Sequence, residues 1–568
     1  MEENMDKIKK VGKFRDLDLI SHATLIQASG YSYDDLKKPI IGIANSFNDL
    51  IPGHKNLREV AQHIKNGIYA AGGIPAEFGC IAVCDGISDN HIGAKYTLPS
   101  RDLIADSVEL QVRAHAYDGL VILGSCDKIV PGLIMGALRT DIPTIFVNAG
   151  PMISSPGFGD KIKANTTTIS EGLGMYYAGK LNKDDLIGLS SNCALSCGSC
   201  QFLGTANTMC SLAEAMGLCL PGSSLIPAVY SERARAAFKS GEQIVDLVKK
   251  NITIKDIVDL EALKNAIAVL MATGGSTNAI IHLSAIANEL GISSDIMADL
   301  YEEYFDNVPL IVKINPSSDE FDAQDLYANG GVPEVMDRLG DNINRNVLTC
   351  TGQSLDANLQ AIRPHKVDEN VIRTMDDPFL QLGGVSIMRG NIAPETGVAK
   401  PASIHKSAHL FKGKAVCFDG EEAAIEAIKA NKIKDGDVLV IRYEGPKGGP
   451  GMREMYLTLK LLNGQGLSRT TAVITDGRFS GTNNGCFVGH VSPEAAAGGP
   501  IALLKDGDEI IIDINKKEVN ASISEEEFEK RRAEMKPYRS PELLPGMMRR
   551  YITHVSSAIQ GAILDKNY

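Results

Sequence analysis

Gly119-Leu-Val-Ile-Leu-Gly-Ser-Cys-Asp-Lys-Ile-Val-Pro-Gly-Leu-Ile-Met-Gly-Ala137 is the stretch on which the fold turns. Its first six residues are a compact apolar run between glycines, the pattern of a short strand buried on both faces. From Leu133 to Leu138 the small apolar residues predict a helix. Cys126, Asp127 and Lys128 therefore stand where a strand hands over to a helix, and in open α/β sheets ligands gather at the carboxyl ends of strands. A thiolate beside a carboxylate combines a soft and a hard ligand, which suits an iron or zinc centre next to a Mg²⁺-like ion. The plainer alternative is a buried cysteine, a capping aspartate and a surface lysine.

The alternation continues on either side. Ile20–Ala28 is the first plausible helix and Pro39–Ala44 a buried strand. Pro52–Asn56 leads into a helix to about Gly72. Gly79–Cys84 reads as a second strand ending on Asp85-Gly86, Arg101–Tyr117 as an amphipathic helix and Ile142–Asn148 as a further strand. This order predicts a large N-terminal α/β/α domain, residues 1–370, around a mainly parallel sheet. Helices dominate from Ser231 to Leu290. There Gly274-Gly-Ser-Thr-Asn278 either caps the helix that follows or offers its N–H groups to an anion. Beyond residue 370 come Ala415–Phe418, Asp437–Arg442, Thr471–Thr475 and Ile510–Ile514, with Asn515–Glu518 as a hairpin turn. They predict a smaller C-terminal β-barrel-like domain, residues 371–568.

Composition narrows the function. The 568 residues carry a net charge of −13, which argues against nucleic acid or an anionic membrane as partner. An anionic substrate stays open, because a bound metal inverts the local field. The first residues lack the apolar core of a signal peptide, and no apolar run nears the ~18 residues of a membrane helix. The expectation is a soluble, cytoplasmic protein. Eleven cysteines in so long a chain point to buried, metal-binding or catalytic thiols rather than a disulfide scaffold.

Cys193, Cys197 and Cys200 cluster on one loop, the last two as Cys-x-x-Cys, with no second such pair to close a zinc finger. Pairing Cys126 with Cys200 gives a two-loop thiolate site suited to an iron–sulfur cluster with one open iron. Asp85 and Asp127 each follow a strand. Glu454 ends the glycine-rich Tyr443-Glu-Gly-Pro-Lys-Gly-Gly-Pro-Gly-Met-Arg-Glu454, and Thr475-Asp-Gly-Arg-Phe-Ser-Gly481 follows another strand. Taken singly, each carboxylate reads as a cap and Ser480 as a turn residue.

Together, these blocks in this order resemble the dihydroxy-acid dehydratase and 6-phosphogluconate dehydratase family over roughly residues 20–560. The blocks are Cys-Asp-Lys-x-x-Pro-Gly, Gly198-Ser-Cys-Gln-Phe-Leu-Gly-Thr-Ala-Asn-Thr-Met209, the glycine-rich loop and the serine loop. The resemblance implies a hydro-lyase that turns 2,3-dihydroxy carboxylates into 2-oxo acids. By family frequency the substrate is 2,3-dihydroxyisovalerate, in valine and isoleucine synthesis, with an aldonate as the alternative. It also implies Asp85, Asp127 and Glu454 as Mg²⁺ ligands, Lys128 as a carbamylated lysine, Ser480 as the base and a homodimer. Cys126 and Cys200 would hold a [4Fe-4S] or [2Fe-2S] cluster.

The chain departs from the pattern at Gly53, in Pro52-Gly-His54, where many members carry a third cluster cysteine. Cys197 is favoured to replace it, with Cys193, Cys84 and His54 as other candidates. Thr482-Asn-Asn484 also departs from the usual small residue and hydroxyl beside the base, which bears on substrate choice. His54 and His91 are the histidines nearest these loops. A different reading, an iron–sulfur redox protein built on Cys193, Cys197 and Cys200, has no use for the carboxylates or the serine.

Overall fold

The computed structural model describes residues 11–89, 91–157, 163–177, 179–362, 366–479, 485–538 and 546–564. Four strands, β1 (Ile40–Asn45), β2 (Ile74–Gly79), β3 (Gly119–Leu123) and β4 (Thr144–Val147), form a wholly parallel sheet in the order β2-β1-β3-β4. All residues of β3 and β4 are buried, as their unbroken apolar sequences require for a sheet covered on both faces.

One strand differs from its expectation. β2 ends at Gly79, and the apolar run Cys80–Cys84 is irregular. The cause is register: Asn45, the last residue of β1, pairs with Gly79. The ladder ends as Cys80 N–H donates to the Asn45 carbonyl. The freed run leaves Ile81 44 % exposed and brings Asp85 to the first turn of a short helix, Asp85–Ser88.

After β3 the helix starts at Ile129, four residues before the sequence suggests, and runs to Thr140. Pro131 fits its first turn, where an N–H would be orphaned anyway. The helix crosses Ser100–His115 so closely that a Cβ on Gly132 would lie 2.7 Å from the Arg101 carbonyl, and one on Gly136 2.8 Å from that of Ala105. The Pro-Gly-x-x-x-Gly spacing thus seats the Cys126–Lys128 turn against the core.

Leu57–Ala70 and Ser231–Lys250 approach in the same way. A Cβ at Gly67 would sit 1.9 Å from the Phe238 carbonyl. Gly67→Ala is therefore expected to cost about 2 kcal/mol or more, the overpacking outweighing the better helix propensity of alanine. Urea unfolding of the two proteins measures it.

A two-residue ribbon, β5 (Ser155–Pro156) with β6 (Lys163–Ala164), lies outside both larger sheets. The second large sheet has eight strands: β7 (Ser386–Met388), β8 (Thr396–Ala399), β9 (Leu410–Asp419), β10 (Asp437–Arg442), β11 (Ala472–Thr475), β12 (Cys486–Ser492), β13 (Glu509–Asp513) and β14 (Glu518–Ala521). Their order is β14-β13-β9-β10-β11-β12-β8-β7. The run β9-β10-β11-β12 is parallel, and the flanking pairs are antiparallel.

The edges meet. Arg389, just past β7, bridges Glu518 at the start of β14, and Val519 N–H donates to the Arg389 carbonyl at 2.8 Å. The sheet curls into a nearly closed barrel, as expected for this half. Gly390 allows the closure, since a Cβ there would fall 2.0 Å from the Val519 carbonyl. The first core reaches past residue 370 to take in Val371, Ile372, Val385 and Ile387; a second core, starting at Met388, fills the barrel.

The last described helix, Met547–His554, returns to the first half. There Tyr551, Val555 and Ala562 cluster with Leu98, Ile281 and Met452.

Candidate active site

The turn between β3 and its helix places Lys128 at the helix start, where the Cys126 carbonyl accepts from Ile129 and Val130. Lys128 is fully buried, contrary to the surface-lysine alternative. Its ammonium contacts Asp85, lies 2.9 Å from Asp127 Oδ2 and 3.3 Å from Glu454 Oε1. Residues more than 300 apart in sequence thus meet at one point. Asp85, Asp127 and Glu454 offer oxygens within 4.8 Å of one another, the one such group of three potential metal ligands among the described residues.

The loop that carries Glu454 is held by carboxylates of the later motifs. Glu494 accepts from the N–H groups of Lys447 and Gly448, both at 2.8 Å. Asp476 accepts from Tyr443, Glu444 and Ala495. Glu454 then bridges to Arg478, and Met455 N–H donates to the Arg478 carbonyl at 2.7 Å. At Gly451, φ is +83° and a Cβ would fall 2.0 Å from the Lys95 carbonyl, so the loop touches the first half directly.

Burial and Arg478 pull the Lys128 ammonium down, but the three carboxylates outweigh them and hold its pKa above the ordinary value. Burial, then Asp127, pushes Asp85 up to about 7. Burial also works against the Asp127 carboxylate, yet Lys128 and His282 hold it below its usual range. Asp89 is a fourth acid here, pushed well above the carboxylate range by burial and then by Glu454 and Asp85. Asp85 Oδ1 is buried with no hydrogen-bond partner among the described residues. Three hard oxygen donors with an orphaned acceptor fit a Mg²⁺-like cation.

Four residues of this site escaped the sequence reading. Asn278 does not cap its helix. Its side chain donates to Glu454 Oε1 at 2.7 Å and to Thr205 Oγ1 at 3.0 Å. One turn on, His282 Nε2 lies 3.2 Å from Asp127 Oδ1, and its Nδ1 lies 3.2 Å from an Arg101 guanidinium nitrogen. Because Arg101 only donates, Nδ1 accepts and the proton sits on Nε2, directed at Asp127. Burial lowers the His282 pKa to about 3, so the ring is neutral. Arg478 is buried and donates to Glu454 at 2.9 Å, while its Nη2 has no partner among the described residues. A legible signal existed: Asn278 and His282 sit four apart on an otherwise apolar helix, which puts two polar groups on one face.

The thiols stand beside the carboxylates. Cys84 and Cys126 share a hydrogen bond, and Cys84 lowers to about 7 chiefly through it. The same bond, then burial, raises Cys126. Burial, then Cys84, pushes Cys200 up to about 12. Cys197 instead feels Glu59 and Lys55, and Cys193 packs with Ala164 and Leu189. Buried sulfurs on converging loops fit an iron–sulfur cluster in chemistry.

His54 is fully buried and its ring is fully engaged. Nδ1 lies 2.6 Å from the Ser46 carbonyl, and Nε2 accepts from Ser125 and Cys126 N–H. His54 therefore pins the Cys126 turn. Burial lowers its pKa to about 4, so below the ordinary value of 6.5 the unfolded chain binds a proton that the folded one refuses. Stability falls as pH drops through this window. Between neutral pH and about pH 5, unfolding measurements should show wild type losing about 2 kcal/mol more than His54→Gln. His91 is exposed and caps a 3-10 turn by accepting from Gly93 N–H. Ser480 lies outside the described residues.

Comparison with known proteins bears on this geometry. Residues 38–358 match the profile "Dihydroxy-acid/6-phosphogluconate dehydratase N-terminal", and residues 370–562 match its C-terminal counterpart. A dihydroxy-acid dehydratase of Halothermothrix orenii is 47 % identical over 96 % of this chain and 98 % of its own length. The Thermodesulfovibrio yellowstonii protein of that name is 46 % identical over 99 % and 100 %. One from Pyrococcus furiosus is 46 % identical over 98 % and 99 %. Among the described residues, no helix is long and apolar enough to cross a membrane.

Proposed function

We propose, because this chain belongs to the dihydroxy-acid/6-phosphogluconate dehydratase family, that it is a hydro-lyase converting 2,3-dihydroxy carboxylates to 2-oxo acids. Its substrate on this reading is 2,3-dihydroxyisovalerate, which yields 2-oxoisovalerate in branched-chain amino-acid synthesis. The observation that carries the reading is the meeting of Asp85 and Asp127 with Glu454 around Lys128, beside paired thiols. Asp85, Asp127 and Glu454 would hold Mg²⁺, and Cys126 and Cys200 would be cluster ligands. When bound, the divalent ion makes the C2 proton more acidic and the cluster supplies a Lewis acid for the C3 hydroxyl.

The chain's own groups do the rest. Arg478 Nη2, a buried donor beside Glu454 with no partner among the described residues, is suited to a substrate carboxylate. Asn278 and His282 orient Glu454 and Asp127. Ser480, two residues from Arg478 in sequence, takes the proton from C2. With Ser480 acting as its alkoxide, hydroxide leaves C3 and takes that proton back from the serine to depart as water, and the enol tautomerises to the 2-oxo acid. Carbamylated Lys128 is part of the proposal. It would add a carboxylate to three others and so needs bound cations, whereas the uncarbamylated ammonium offsets one of their three charges.

The enzyme is proposed to work in the cytoplasm as a homodimer.

The test is 2-oxo acid formation by anaerobically purified protein with Mg²⁺, comparing dihydroxyisovalerate with a panel of aldonates. Preference for dihydroxyisovalerate is expected. Preference for an aldonate would move the protein to sugar-acid breakdown with the same chemistry. Turnover of neither by cluster-loaded protein would remove the assignment.

A further inference from the structure

We propose that Cys84 is the third protein ligand of the iron–sulfur cluster, replacing the cysteine that this chain lacks at Gly53. This rests on the dehydratase reading only in that the reading brings the cluster.

Position 53 does face the thiols. A Cβ built on Gly53 would lie 2.9 Å from Cys126 Sγ and 3.3 Å from Ser199 Cα, next to Cys200. That loop therefore reaches the cluster position without a ligand to give. The sulfur that fills the role comes from the other side. Cys84 is hydrogen-bonded to Cys126, and Cys84 and Cys126 are each close enough to Cys200 to act on one another electrostatically.

The chain order supplies a second argument. Cys84-Asp85 follows β2 and Cys126-Asp127 follows β3, and both dipeptides end at one place. Each gives its carboxylate to the Asp85/Asp127/Glu454 group and its sulfur to the neighbouring thiol group. Two Cys-Asp pairs thus build the soft and the hard site side by side. The irregular run Cys80–Cys84, which the sequence alone presents as a strand, is what lets the first pair turn in.

The other candidates are occupied or distant. Both His54 ring nitrogens are committed to Ser46 and to the Ser125 and Cys126 N–H groups. Cys197 lies by Glu59 and Lys55, Cys193 sits in a separate small core, and Cys80 accepts from Ser107. On ligation each thiol releases its proton, and three thiolates leave one iron coordination position open.

The experiment uses full-length protein purified without oxygen. Iron and acid-labile sulfide per chain, with visible and Mössbauer spectra, are compared for wild type, Cys84→Ser, Cys193→Ser and Cys197→Ser. Cys84→Ser is expected to hold iron about tenfold less tightly or worse, with far-UV circular dichroism unchanged, while the other two match wild type.

Iodoacetamide labelling of wild type, followed by mass spectrometry, needs no variant. Reconstituting the cluster should protect Cys84, Cys126 and Cys200 and leave Cys197 as reactive as in the apo-protein. Cys84 labelled equally with and without cluster, or a Cys84→Ser protein with full wild-type iron, overturns the proposal. A wild type that carries a cluster but dehydrates no dihydroxy acid removes the dehydratase reading and leaves Cys84 standing. A wild type that binds no iron overturns both.

Discussion

Glu454→Gln is expected to lower kcat/KM for 2,3-dihydroxyisovalerate by about 10³-fold or more, because several kcal/mol of metal-borne charge stabilisation are at stake. The Mg²⁺ concentration needed for half-maximal activity should rise about 10–100-fold. The substitution keeps shape and removes charge. Glu454 Oε1 now accepts from Asn278 at 2.7 Å and Arg478 at 2.9 Å, with Lys128 at 3.3 Å. A glutamine retains one acceptor oxygen but turns an NH₂ toward a pocket of donors and leaves the buried Arg478 guanidinium short of an anion. Some stability is lost with activity, so cluster content and unfolding are measured on the same sample. Activity within about tenfold of wild type at saturating Mg²⁺ would mean that Glu454 is not a ligand.

Ser480→Ala should act differently. Loss of a general base costs about 10²–10⁴ in rate, so kcat should fall by that factor with KM, iron content and Mg²⁺ response unchanged. Exchange of the C2 proton with deuterated solvent should be lost in parallel, which separates removal of the base from a binding defect. The serine is a plausible base only beside positive charge. Arg478 precedes it by two residues and shares Glu454 with Lys128. A variant that still exchanges the C2 proton at the wild-type rate places the base elsewhere.

What could be read from sequence follows from what is local. Buried strands announced themselves as apolar runs, so β1, β3, β4, β10 and β11 fall where expected, and the barrel half is as expected. The Cys-Asp-Lys turn was legible because it follows such a run. β2 was misplaced by about five residues since its end is set by a partner strand, not by its own composition. Lys128 escaped in one respect: nothing in Ser-Cys-Asp-Lys says that three carboxylates from distant loops will hold the amine inside. Asn278 was legible only as the end of a stretch that caps a helix or binds an anion, and His282 drew no reading at all, since their partners, Glu454 and Asp127, are 176 and 155 residues away.

The closed barrel has a consequence for how the protein is made. Its seam joins Arg389 to Glu518, so the ribosome must add about 130 residues after the first lip appears. At ~5–20 residues per second this takes roughly 6–26 s. Throughout that interval β7 presents unpaired backbone groups, a template for another chain's strand. Crowded synthesis, heating of nascent chains or truncation before β14 should therefore be the conditions under which this domain clumps, while the finished molecule, its seam shut, resists.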